Sequence, residues 1–381
     1  MRRDFTVNSL FYNLRTSTVE DHTHRGFADL KSSTLSTPLP PLSTFHDDPL
    51  RCLRAVRFAA RFDFAFGGGI LEALSDASVS EALATKVSRE RVGIEIEGML
   101  TGKAADPEAA WKILFETGLE SVVFASPAGP LFFREPGADE DSSTVEVPPS
   151  LDPSVLPRIS SFFSSLSSSS SPSPDFVRLV YLAAPLLPFS FLQFDEPNPK
   201  GTAVKRRSVA HWIIRDGLKL KSKDAAAVDL ILAGGARRGA ELMAMGEGGV
   251  GRRDGGLFVR QCKGLWRENL AVAAIAEADY AGFATVADQI VAHGLEDCDS
   301  MKPIVDGKTL LKALGVKNGP EVGEWMQRCV VWQLENPDGD RERCLDEMRG
   351  VKAARDREAA EAAEAAGELK GGGGGGGGGG G

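Results

Sequence analysis

The segment from Asp47 to Arg61 constrains this chain more than any other. Pro49 suits the first turn of a helix, where its missing N–H costs nothing, and Asp47 and Asp48 before it suit the positive end of the helix dipole. At 3.6 residues per turn, Arg51, Arg54, Arg57 and Arg61 fall on one stripe, and Cys52, Leu53, Val56 and Ala60 fall opposite. Such a helix packs through one face and presents cations on the other, so other helices must cover the first.

The same three-and-four spacing supplies those helices. It runs through His46 to Phe66, Gly69 to Ser75 and Thr85 to Leu100, and returns at Phe176 to Leu187, Arg206 to Leu232, Gly264 to His293 and Pro303 to Glu347. Residues 1–44 instead mix short apolar runs (Val7, Leu10, Phe11, Tyr12, Leu14) with polar turns, as in part of an α/β unit. Residues 126–175 are acidic, then proline-rich, then serine-rich, and read as a linker or surface insertion; Gly234 to Gly256 reads as a solvent loop. Beyond residue 350 an Ala/Glu/Lys/Arg stretch leads into the glycine run Gly371 to Gly381, and 351–381 reads as a disordered tail. No internal repeat is present.

Lys and Arg number 44 against 53 Asp and Glu, a net charge of −9, which excludes a globally basic protein that coats nucleic acid without selectivity. Any nucleic-acid site must be local, and the most basic stretch holds Lys200, Lys205, Arg206, Arg207, His211, Arg215, Lys219, Lys221 and Lys223; Lys205, Arg206, Arg207 and Lys219 are the candidate RNA contacts. A solvated helix face explains that stretch about as well. The five cysteines are scattered, with no C-x-x-C pair, and read as packing residues of a reducing compartment. No apolar run is long enough to span a membrane, so the expectation is a soluble, intracellular chain. Trp212, Trp266, Trp325 and Trp332 read as core. Asp21, His22 and His24 lack a further ligand nearby, and the pairs Asp297/Asp299 and Asp338/Asp340 sit in turns; none is assigned a metal.

Two clusters carry chemistry. Arg2, Arg3, Asp4 and Asn8 bring guanidiniums, a carboxylate and an amide together, a set able to hold a phosphate and ribose hydroxyls. Asp48 and Arg51, three apart, project from one side of a first helical turn. A carboxylate accepting from an exocyclic amino group beside a guanidinium donating to a ring nitrogen matches the Watson–Crick edge of cytosine and of adenine, whereas guanine and uracil place a carbonyl there. Arg54 and Arg57, further along the stripe, would face the triphosphate. The bland reading is an Asp–Arg pair on a solvated helix face, contributing about 0.2–0.5 kcal/mol.

Taken together the motifs resemble those of class II CCA-adding enzymes, in the tRNA nucleotidyltransferase and poly(A) polymerase family, most like its eukaryotic members. Arg2-Arg3-Asp4-x-x-x-Asn8 resembles the ribose-selecting RRDxxxN, Asp21-x-x-x-Arg25-Gly26-x-x-Asp29-Leu30 resembles the flexible DxxxRGxxDL segment, and Asp47-Asp48-x-x-Arg51 resembles the EDxxR amino-acid template. Ser88 to Glu95 resembles the SxERIxxE element that braces the pocket, which makes Glu90, Arg91 and Glu95 pocket-supporting residues, together with Asp47 of the template motif. The resemblance implies a mainly α protein: a truncated α/β nucleotidyltransferase head (1–44), a helical neck with the template (45–125), the insertion (126–175), a helical body (176–300), a tRNA-binding tail (301–350) and the disordered end. It implies ATP and CTP as substrates, tRNA as partner, and Mg2+ with a two-metal mechanism.

In that family the metal carboxylates follow a GGxVRD segment placed before RRD, whereas here Met1 precedes Arg2. The expectation is therefore a chain lacking the N-terminal catalytic motif, with no catalytic residue and no metal ligand of its own. Template-independent CCA addition has two rivals: a catalytically silent RNA- and nucleotide-binding fragment or half of a split enzyme, and a bacterial-type poly(A) polymerase.

Overall fold

The computed structural model describes residues 3–134, 143–145, 149–166, 172–197, 204–245, 249–316, 319 and 321–371. These form two compact units, one made of Met1–Gly249 with Leu265–Ala287, the other of Val250–Gly264 with Asp288–Gly381. The chain is mainly helical, as expected.

The first unit begins with an antiparallel hairpin, β1 (Leu10–Asn13) and β2 (Thr18–Asp21), then α1 (Gly26–Lys31). A two-residue parallel pair, β3 (Thr34–Leu35) with β4 (Ala65–Phe66), brackets α2 (Pro41–Asp47) and α3 (Leu50–Phe62). The apolar stripe of α3 is its buried side: Cys52, Leu53, Ala55 and Val56 are fully covered, with Phe5, Leu35 and Phe45 also in the core. Asp63 closes α3 in the left-handed region (φ 52°), a conformation Asp tolerates better than most residues. Then follow α4 (Ile70–Leu74), α5 (Ala77–Lys86), α6 (Arg89–Leu100), α7 (Pro107–Thr117) and α8 (Glu120–Val123).

Residues 126–175, expected to be a linker or surface insertion, carry secondary structure. They supply β5 (Leu131–Phe133), β6 (Ser143–Val145), α9 (Val155–Ser165) and the start of α10 (Pro174–Ala183). With β7 (Leu192–Pro197) and β8 (Val204–Ser208) the strands form an antiparallel sheet of order β6-β5-β7-β8. Leu192 and Phe194 are buried on β7 while Gln193 between them is not, the period-two pattern of a half-covered strand. The helix expected to begin at Arg206 thus starts only at α11 (Val209–Trp212), runs into a π turn at Ile213–Gly217, and is followed by α12 (Ser222–Leu230) and a second π turn at Ile231–Gly235.

The glycine-rich stretch read as a solvent loop is also helical, forming α13 (Ala236–Met243) and α14 (Arg252–Gln261). Its glycines serve close packing against α15 (Trp266–Glu277): a Cβ on Gly235 would lie 1.5 Å from the Oδ1 of buried Asn269, and one on Gly239 3.1 Å from the Cβ of Ala273. The unit boundary falls within α16 (Tyr280–Ala292).

In the second unit α17 (Gly307–Leu314), α18 (Glu321–Glu335) and α19 (Arg341–Gly371) enclose a core of Val305, Leu310, Leu314, Trp325, Cys329, Cys344, Leu345 and Met348. α19 corrects the expectation of disorder from residue 351 to 371. Ala, Glu, Lys and Arg are strong helix formers, and Arg355 reaches Glu321 at 3.8 Å and Glu324 at 3.6 Å on α18. Residues 372–381 lie outside the described residues. No helix among the described residues is long and apolar enough to cross a membrane.

All five cysteines are buried and free. Burial pushes the thiols of Cys52 and Cys329 up to about 12. Native protein is therefore expected to show no reaction with a thiol reagent at pH 8, all five sites appearing only in denaturant; rapid labelling of Cys52 in native protein would contradict its place in the core.

Candidate nucleotide site

Asp4 lies ahead of the short 3-10 turn Val7–Ser9, where its Oδ1 accepts from the backbone N–H of Phe5 at 2.9 Å and its carboxylate from the amide of Asn8 at 3.4 Å. From α3, Arg54 donates to Asp4 through Nε (2.9 Å) and Nη2 (2.6 Å). Arg54 Nη1 also stands 3.6 Å from Glu95 on α6, and Arg57 Nε donates to the same carboxylate at 2.6 Å. Burial works against the Arg54 charge, but the bond to Asp4 and the nearby Glu95 outweigh it and hold the guanidinium above its ordinary range. Phe58 lies between these cations, its ring 5.4 Å from Arg54 and 4.9 Å from Arg57.

Asp48 stands at the junction of α2 and α3, where it accepts from the backbone N–H of Leu50 and pairs with Arg91 of α6 at 3.1 Å. Arg51 donates to the Thr44 carbonyl at 3.2 Å, and Asp47 is the exposed last residue of α2. Asp4, Asn8, Arg54, Arg57 and Glu95 thus join in one network, with Asp48, just before α3, tied to Arg91 on α6. In the middle of the cationic stripe of α3, Arg54 is committed to Asp4, whereas Arg57 uses only Nε, on Glu95, among the described hydrogen bonds; Arg61 donates to the carbonyls of Gly98 and Thr101.

Other expected residues stand apart. Arg2 lies outside the described residues. Arg3 is exposed, over the Phe11 ring at 4.9 Å. Glu90 is exposed in the first turn of α6, where its own backbone N–H and Ser88 hold its carboxyl below the usual range. Residues 21–30 form the end of β2, a turn and α1, with Asp29 accepting from the Thr6 hydroxyl at 2.6 Å. Three of the four candidate RNA contacts stand beside acids: Arg206 pairs with Asp195 at 2.5 Å, Arg207 with Glu196 and Asp216, both at 2.7 Å, and Lys219 stands 3.9 Å from Asp216, while Lys205 is exposed. Cross-strand pairing on β7 and β8, invisible to a helical reading, brings these charges together.

Sequence reasoning missed Arg89, Arg178 and Asp224. Arg178 of α10 donates to Glu97 of α6 (2.7 Å) and to Asp224 of α12 (2.9 Å), with Arg178 and Asp224 buried. A single Arg in the apolar run Phe176 to Leu187 was the available signal. No group of three or more His, Cys, Asp and Glu among the described residues is placed to hold a metal ion.

Comparison with known proteins bears on the same residues. The Poly A polymerase head domain model matches residues 1–36. The mitochondrial CCA tRNA nucleotidyltransferase of Saccharomyces cerevisiae is 31% identical over 92% of this chain and 68% of its own length, and tRNA nucleotidyltransferase cca2 of Schizosaccharomyces pombe is 30% identical over 92% and 70%. This chain belongs to the CCA tRNA nucleotidyltransferase and poly(A) polymerase family. Its fold is that of solved family members: a Thermotoga maritima CCA-adding enzyme complexed with tRNA superposes with a TM-score of 0.58 at 18% identity, covering 92% of this chain and 72% of that one. A CCA-adding enzyme complexed with CTP gives 0.59 at 19% identity, covering 92% and 71%. The expectation that the chain lacks the family's N-terminal catalytic motif is overturned, because the head-domain model matches from the first residue and the relatives align over 92% of the chain.

Proposed function

We propose that this family member adds CCA to the 3′ end of tRNA, taking CTP and then ATP in one pocket. The observation that carries the reading is the junction of the RRD-like Asp4, the template-like Asp48 and the Glu95 of the SxERIxxE-like helix, held by Arg54, Arg57 and Arg91 on α3 and α6. In this reading Arg2, Arg3, Asp4 and Asn8 meet the ribose. Asp48 accepts from the exocyclic amino group of cytosine or adenine, and Arg51 donates to the adjacent ring nitrogen. Arg54 orients Asp4, and Arg57 offers its two terminal amino groups to phosphate while Nε stays on Glu95. The tRNA end supplies the attacking hydroxyl, with exposed Lys205 and the tail in contact with the tRNA. An intracellular, reducing location belongs to the same proposal, supported by five buried free thiols.

The test is extension of a tRNA lacking its 3′ end, with each nucleoside triphosphate singly and together. Wild-type protein is expected to add two C and one A and stop; a long A tract would return the poly(A) polymerase reading. Protein that binds CTP and ATP but extends nothing returns the reading as a binding protein. Asp48→Ala and Arg51→Ala are each expected to cut the preference for CTP and ATP over UTP and GTP by about tenfold or more, since a good bidentate base contact gives roughly 1–3 kcal/mol of discrimination. An unchanged preference in both variants would show that other residues read the base.

A further inference from the structure

α6 is held on two sides, by different partners. Arg91 and Glu95, one turn apart, grip Asp48, Arg54 and Arg57. Arg89, Gly93 and Glu97, also at steps of four, lie on a stripe rotated from the first by about 200°. The partners of this second stripe come from α8, from the end of the first π turn, and from α10. Arg89 donates to the carbonyls of Val122 (3.0 Å), Val123 and Gly217, and burial lowers its pKa. Gly93 sits so close to the end of the π turn that a Cβ would lie 1.8 Å from the Leu218 carbonyl oxygen. Glu97 receives three hydrogen bonds from Arg178, which is anchored in turn to Asp224.

We propose that this second stripe sets the rotation and depth at which α6 presents the first, so that Arg89, Glu97 and Arg178 are positioning residues for nucleotide selection. The inference rests on the functional reading above. A helix gripped on one side only is free to roll. A roll of about 10° carries a side-chain tip ~6 Å from the helix axis through about 1 Å. That is the scale on which a positioned site loses discrimination. Rolling α6 moves Arg91 against Asp48 and Glu95 against Arg57, and through them the start of α3 where Asp48 and Arg51 lie. The hydrogen bonds described for Arg89, Glu97 and Arg178 run to Val122, Val123, Gly217 and Asp224 and between Glu97 and Arg178.

The test uses Glu97→Gln and Arg89→Lys in the full chain. Glu97 is 35% exposed at its side chain, so the neutral isostere is expected to fold and carries the test if Arg89→Lys does not. The readout is the ratio of kcat/KM for CTP to that for UTP in tRNA extension, with the ratio of CTP to UTP dissociation constants measured alongside. A purely structural role lowers the fraction of folded molecules and leaves both ratios unchanged, whereas the positioning role lowers them about tenfold. Wild-type preference retained in Glu97→Gln overturns the inference alone. Wild-type protein that shows no preference in either measurement overturns the functional reading, and the inference falls with it.

Discussion

Gly93→Ala lowers stability by roughly 3 kcal/mol, although it replaces a helix-interior glycine with the best helix former. Propensity alone favours alanine by about 1 kcal/mol. At Gly93 the new Cβ would lie 1.8 Å from the Leu218 carbonyl oxygen and 3.0 Å from its carbon, and backbone atoms cannot swing aside as a side-chain tip can. Overpacking of this kind costs typically 1–3 kcal/mol and occasionally more, so the contact wins over propensity. Gly350→Ala is the control. That glycine lies inside α19 with nothing within 4 Å of its Cβ position, and the substitution is expected to stabilise by about 0.5–1 kcal/mol. Urea denaturation of both variants reads the difference. If Gly93→Ala were as stabilising as Gly350→Ala, α6 would not approach the 217–218 backbone as described.

Arg178→Met is expected to cost about 3–5 kcal/mol, because it strands Asp224, whose side chain is 4% exposed, as an unpaired buried carboxylate. Burial opposes the Arg178 charge, but the bonds to Asp224 and Glu97 outweigh it and hold the guanidinium above its ordinary range. The same logic gives a second expectation. Replacing all three partners together, Arg178→Met with Glu97→Gln and Asp224→Asn, removes the buried charges as well as their pairing, and should recover most of the loss. Chemical denaturation of the single and triple variants separates the penalty for an orphaned charge from the net worth of the triad. A triple variant no more stable than Arg178→Met would show that the fold depends on the ion triad itself.

Much of the site was legible along the chain because its parts are local. Asp48 and Arg51 are one helical turn apart, so spacing placed both on one face, whereas Arg91 and Glu95 were picked out by the motif that Ser88 to Glu95 resembles. The apolar stripe of α3 is buried as its period requires, and the five cysteines lie in the core. The misreadings came where composition stood in for contacts. The residues of β5 and β6 look like a linker because β7, the strand that ties β5 into the sheet, lies beyond α9 and α10 in sequence. Gly235 and Gly239 look like loop residues because a glycine needed for close approach and a glycine in a flexible turn are the same letter.

The amino-acid sequence by itself determined the helical class, the amphipathic faces and the candidate nucleotide-reading residues, since these depend on periodicity and on chemistry within a turn or two. Only the tertiary structure decided where the charges go. Arg54 ends on Asp4, Arg57 on Glu95, Arg206 on Asp195 and Arg178 between Glu97 and Asp224. An ion pair is a relation of distance in space, and a guanidinium finds its carboxylate only after the helices and strands carrying them have packed through their apolar faces.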